Sequence, residues 1–170
     1  MWFLALAAVL LAVPNPAGEA SGPVNLYSGS KLFLTWVEKT GPKRHELRFA
    51  TREAGGWSKP TTIAGGENWF VNWADFPSLV ELADGTLAAH WLERNGADQY
   101  SYNLRVARSA DSGKTWSVFF APQPKAHNAY TGFVSMMPSP AGLAMAYLAP
   151  KETAGGGHDT KLHFAEFRSD

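Results

Sequence analysis

The chain has no cysteine among its 170 residues, so disulfides, thiol chemistry and cysteine-based metal sites are excluded. It has no net charge either, since 15 basic residues balance 15 acidic ones. That argues against nucleic acid, or an anionic membrane surface, as the main partner. Beyond one short stretch at the start there is no long apolar run, and none approaches the ~20 residues a membrane helix needs. The histidines (His45, His90, His127, His158 and His163) contain no pair at the spacing that holds a metal on one helix. There is no G-x-S-x-G elbow. Gly155-Gly156-Gly157 lacks the Lys and hydroxyl residue that would make it a phosphate cradle. Neither a cofactor nor a metal is expected.

What is abundant points elsewhere. Seven Trp, five Tyr and ten Phe accompany 16 Gly and 11 Pro, which suits many short strands joined by tight turns. The length suffices for one ordinary domain and its core. The apolar stretch from Trp2 to Val13 is followed by Pro14, Pro16 and the small-x-small step Gly18-Glu19-Ala20. It is too short to span a bilayer but suits a secretory leader. Residues 1–20 are therefore expected to be a removable signal, with no membrane span afterwards and a secreted or periplasmic location.

Internal repetition organises the remainder. LRFA at Leu47 recurs as LRVA at Leu104 and LHFA at Leu162, 57 and 58 residues apart. Ahead of each lies a second match: LFLTWVEK from Leu32, TLAAHWLER from Thr86 and LAMAYLAP from Leu143. A third precedes those, at Pro23, Phe76 and Phe133. Each segment is β-rich and bounded by Gly, Asp, Ser or Pro, and Asp84-Gly85 is a hairpin signal. The unit reads as four strands, A to D. Four-stranded units at this period predict blades of a β-propeller, which stack because one blade cannot bury its own faces. A complete β-sandwich would explain the strand count but not the fixed period.

One motif ties the repeat to a family. Ser109-Ala110-Asp111-Ser112-Gly113-Lys114-Thr115-Trp116 follows S-x-D-x-G-x-T-W, and unit one carries a worn version from Thr51 to Trp57. This resembles the Asp box of sialidase-like, or BNR-repeat, β-propellers. The resemblance implies an all-β partial propeller: about three four-stranded blades (23–63, 76–121 and an incomplete 132–170, within a domain of 21–170) of a six-bladed ring. Missing C-terminal blades or self-association would be needed to close it. The box is expected to be a folding device. Ser109 and Asp111 hydrogen-bond nearby amides, Gly113 takes a positive φ, Thr115 completes the turn, and Trp116 packs between blades.

The resemblance also implies where chemistry sits: at the starts of A strands and in loops after B strands. There the chain has Asp75-Phe76-Pro77, then Glu93-Arg94, then Asp98. Arg94 falls near an arginine that grips a sugar carboxylate, and Asp98 near the acid/base position. Asp75 stands where the family has its first arginine, and as a carboxylate it could serve as acid, base or hydrogen-bond acceptor. Glu93 abuts Arg94 without the usual intervening residue, and no Tyr can be assigned as nucleophile. In the connector Glu67–Asp75, Trp69 and Trp73 could stack on sugar faces or pack between blades. His127 and Tyr130 occupy the matching connector of unit three. The expected function is the N-terminal part of an exported exo-α-sialidase-like glycoside hydrolase, inactive by itself. The alternative is a non-catalytic propeller that binds a glycan or protein partner.

Overall fold

The computed structural model describes residues 14–96, 100–121, 131–150 and 160–168. Their regular structure is entirely β, in three antiparallel sheets that follow chain order. The first contains β1 (Ser21–Ser28), β2 (Leu32–Lys39) and β3 (His45–Glu53), with β4 (Gly56–Trp57) and β5 (Thr61–Gly66) both pairing β3. The second is β6 (Ser78–Glu81), β7 (Leu87–Arg94), β8 (Tyr102–Ser109) and β9 (Ser117–Phe120). The third is β10 (Gly132–Ser139), β11 (Gly142–Pro150) and β12 (Thr160–Arg168). One strand differs from its sequence reading. The fourth strand of the first blade is split into β4 and β5 around Pro60, whose ring nitrogen has no proton for a ladder.

Alternation along each strand sends side chains to both faces of a sheet, and in the second sheet one apolar face meets the first sheet and the other meets the third. In the first seam, Phe33, Val37, Leu47 and Phe49 of the first sheet meet Leu79, Leu87, Ala89, Trp91 and Ala107 of the second. In the second seam, Val80, Ala88, Leu92, Leu104 and Val106 meet Met136, Leu143, Met145 and Tyr147 of the third. Each large side chain fully buried in this way contributes about 1.5–3 kcal/mol. The second sheet is thus covered on both faces, and it holds the centre of the core.

A polar device recurs toward the C-terminal ends of β2 and β7. Trp36 Nε1 donates to Glu38 Oε2 at 3.0 Å, and Glu38 Oε1 accepts from Arg48 Nη1 at 3.1 Å. The second sheet repeats it: Trp91 Nε1 donates to Glu93 Oε1 at 3.1 Å, and Glu93 Oε2 accepts from Arg105 Nε at 2.9 Å. Register explains the repeat, since Trp36 pairs Arg48 and Trp91 pairs Arg105 across neighbouring strands. In the third sheet the same pair is Tyr147 and His163, and the acid is replaced by Ala149. Without a carboxylate to hold, the two rings stack at 5.3 Å and 14° instead.

The β8–β9 turn is a closed hydrogen-bond circuit. Gly113 N donates to Ser109 Oγ at 2.9 Å, and Ser109 Oγ donates to Asp111 Oδ1 at 2.7 Å. Thr115 supplies its amide to Asp111 Oδ1 at 2.9 Å and its hydroxyl to Asp111 Oδ2 at 2.6 Å. These donors hold the Asp111 carboxyl well below the usual carboxylate range, the Thr115 hydroxyl most of all. Ser112 and Gly113 both have positive φ, 60° and 88°. Trp116 Nε1 donates to Gly113 O at 3.1 Å, and its ring meets Phe49 edge-on at 6.1 Å. A Cβ on Gly113 would overlap that same Phe49 ring, so the turn of the second sheet seats directly on the first.

Candidate functional site

Between the second and third sheets lies an open cleft of about 560 Å³, lined by Phe70, Val71, Asn72, Trp73, Ala74, Asp75, Arg94, Tyr100, Tyr102 and Phe133. Its floor is built by the connector that leads into β6. Residues 68–70 run antiparallel to the end of β7, with Phe70 N donating to Leu92 O at 3.0 Å and Arg94 N to Asn68 O at 2.8 Å. In extended backbone, neighbours point to opposite faces. Trp69 accordingly turns into the first seam, where it is buried and stacks on Trp91 at 5.8 Å and 21°. It does not line the cleft. Phe70 turns the other way and stacks on Tyr102 at 3.9 Å and 10°.

Asn72 then ends the extended run. Its Oδ1 accepts from the amides of Ala74 at 2.6 Å and Asp75 at 2.8 Å, an Asx turn that folds the connector back. Trp73, at the apex, is 87% exposed on the cleft wall. The Asp75 carboxylate is held on both oxygens: Asn72 Nδ2 donates to Oδ2 at 2.6 Å, and Phe133 N donates to Oδ1 at 3.0 Å. The second bond joins residues 58 positions apart and ties the connector to β10. Phe133 has φ of 51°, a strained value for an aromatic residue, and its half-exposed ring closes the far wall.

Arg94, at the end of β7, holds its guanidinium carbon 5.4 Å from the Phe70 ring centroid, a cation–π contact. Tyr100, largely exposed, meets Phe70 edge-on at 6.4 Å. The structure therefore brings Trp73, Asp75 and Arg94 into one cleft. Asp98, His127 and Tyr130 lie outside the described residues. Phe70, Tyr100, Tyr102 and Phe133 were not singled out from the sequence. The Tyr-x-Tyr step just after Asp98 was a usable signal, because it opens the strand whose Tyr102 pairs with Arg94. Phe133 gave none, since its φ and its bond to Asp75 arise only from the packing of two sheets.

Chemically, the cleft offers exposed aromatic faces, a guanidinium and a carboxylate whose lone pairs are partly committed. That combination suits a ligand with apolar C–H faces and polar edges.

No protein-family model and no curated protein matches this chain. Among solved structures it is similar to an endo-arabinase from Bacteroides thetaiotaomicron VPI-5482, with a TM-score of 0.56 and 15% identity. The match covers 86% of this chain and 56% of the arabinase, so the chain spans little more than half of that protein's length. A weaker likeness, TM-score 0.44 and 16% identity, is to the Hadza microbial sialidase Hz136, covering 76% of this chain and 32% of that one. The stacked antiparallel sheets and the likeness to the arabinase agree: the fold is an all-β partial β-propeller.

Proposed function

We propose that this chain forms part of an exported, glycan-acting β-propeller and that the Trp73–Arg94 cleft receives a sugar. The observation that carries this reading is Trp73. A large indole, 87% exposed, stands on the wall of a cleft whose other walls are also aromatic. Apolar ring surface left in water is unfavourable, and the C–H face of a pyranose or furanose can cover the ring and remove that surface from water. Arg94 can grip a carboxylate or hydroxyl pair in a fork. The double engagement of the Asp75 carboxylate favours recognition over proton transfer at that position.

Calorimetric titration with sialyllactose and with an arabino-oligosaccharide, one anionic and one neutral, tests the reading. Binding of at least one is expected, and Trp73→Ala should weaken it about tenfold, or ~1.4 kcal/mol. No binding of either by the wild-type chain would remove the basis for a sugar site.

A second reading, a sialidase-like glycoside hydrolase, is favoured by one observation: Arg94 on the cleft wall is followed four positions later by Asp98. In that reading Arg94 orients the sugar and Asp98 supplies the proton. The nucleophile and further arginines would come from outside this chain, so the chain alone is expected not to cleave a fluorogenic sialoside. Turnover by the purified chain would contradict that expectation.

A further inference from the structure

Phe133 breaks a backbone rule that its neighbours keep. Among the described residues, only Ser112 and Phe133 combine a side chain with a positive φ. Ser112 belongs to the tight β8–β9 turn, where a small polar residue tolerates that backbone. Phe133 is the second residue of β10 and has no turn to make. A bulky residue at φ 51° is strained, and such strain persists only where the surrounding structure holds it.

The repeat supplies a control. Ser78 and Ser135 face His90 and Ala146 at equivalent positions of the second and third sheets, so Phe76 and Phe133 each stand two places ahead of an equivalent serine. Both rings are 52% exposed. Phe76 lacks the left-handed φ and does not line the cleft, whereas Phe133 has it and does. The pairing of β10 with β11 is also irregular here, shifting register between Gly132 and Ser135. A bulge of this kind re-aims a side chain. The turned backbone is what brings the Phe133 ring to the cleft wall.

Three consecutive residues fix that backbone against the second sheet and its connector. Thr131 N donates to Tyr102 O at 2.9 Å, and Phe133 N donates to Asp75 Oδ1 at 3.0 Å. Between them, Gly132 lies so near the Tyr102 ring that a Cβ would come within 2.6 Å of it. Burial of a half-exposed ring offsets little of the strain. On the reading of the cleft as a sugar site, we infer that Phe133 is a second ring that covers the sugar, and that its strained backbone, held by Asp75, sets the ring in place before the ligand arrives. Trp73 comes from the connector and Phe133 from the third sheet, so the ligand that fits is a sugar ring with C–H surface on more than one side. A ring already in place need not be ordered on binding.

Calorimetric titration with sialyllactose and with the arabino-oligosaccharide, alongside thermal melting, tests this on Phe133→Ala, Phe133→Gly and Phe133→Tyr. The two truncations should each weaken whichever sugar the wild-type chain binds by about fivefold, and Phe133→Tyr should keep the affinity. Stability should separate the truncations. Phe133→Gly should melt a few degrees above Phe133→Ala, because glycine accepts φ 51° without strain, reversing the usual order of the two residues in a strand. Truncations that bind as wild type does, while Trp73→Ala still weakens binding, overturn the role of Phe133 and leave the sugar site standing. A Phe133→Gly variant that melts no higher than Phe133→Ala overturns the strained device. No binding of either sugar by the wild-type chain removes the site itself, and the role of Phe133 with it.

Discussion

Asp75 shows how a single side chain changes meaning between sequence and structure. As a carboxylate at a strand start it is a candidate acid or base. In the fold it spans two sheets, accepting from Asn72 on one side and from Phe133 on the other. Asp75→Ala should lower stability by about 1–2 kcal/mol, the usual net value of two partly exposed hydrogen bonds. It should also release Phe133 from its left-handed φ, so sugar affinity should fall by more than the change in folded fraction explains. Urea titration and calorimetry together check this, and unchanged affinity would leave Asp75 a purely structural strut. Asp111 is the contrasting case, engaged in a circuit that never approaches the cleft. Because its folded pKa is depressed, its contribution is present above the ordinary carboxylate pKa and is lost as pH falls through and below that value. Asp111→Ala should lower the melting temperature by a few degrees at neutral pH, with the difference from wild type narrowing in acid.

At the scale of the element, β7 carries most of the molecule's logic. Leu87, Ala89 and Trp91 serve the first seam, Ala88 and Leu92 serve the second, and Arg94 reaches the cleft. His90 lies in the middle of the strand, buried, with Nδ1 2.7 Å from Ser78 Oγ. Burial lowers its pKa from 6.5 to about 4, since the interior cannot solvate an imidazolium. A depressed folded pKa means that the unfolded chain binds the proton more tightly. The associated stability is therefore complete above pH 6.5 and is lost as pH falls toward 4, by as much as roughly 3 kcal/mol. Urea unfolding across that window should show the decline, and His90→Gln should flatten it. The β8–β9 turn is a second such element. Gly113→Ala adds a methyl where Phe49 already stands and at a φ that disfavours it, so it should destabilise more than Asp111→Ala does. Equal melting temperatures for the two variants would mean that the Phe49 ring moves aside.

At the scale of the whole molecule, three sheets stack, and among the described residues Leu26 of the first sheet and Leu162 and Phe164 of the third stand exposed. Solubility therefore depends on what covers Phe164, Leu162 and Leu26 more than on net charge, which is zero. Export is a proposal at this scale too. Mass spectrometry of the exported protein should find an N-terminus near Ser21, and one still at Met1 would rule out a cleaved leader.

The repeat was legible because it is written in backbone chemistry. Strand alternation, Gly85 in the β6–β7 turn and the Ser-Asp-Gly-Thr-Trp spacing at 109–116 each act within a few residues, so local sequence determined the strands, their order and the all-β class. Trp36 and Trp91 marked equivalent positions for the same reason. What tertiary structure alone decided is which side each neighbour serves once sheets pack. Trp69 and Phe70 are adjacent aromatics of similar promise, yet one is core and the other is cleft, because the connector pairs with β7 in a register that only the assembled sheet imposes. Phe133 became a cleft wall only when the Asp75 carboxylate, 58 residues away, captured its amide. Pattern encodes the faces of a strand, but the partner of each face is chosen by packing across distant parts of the chain.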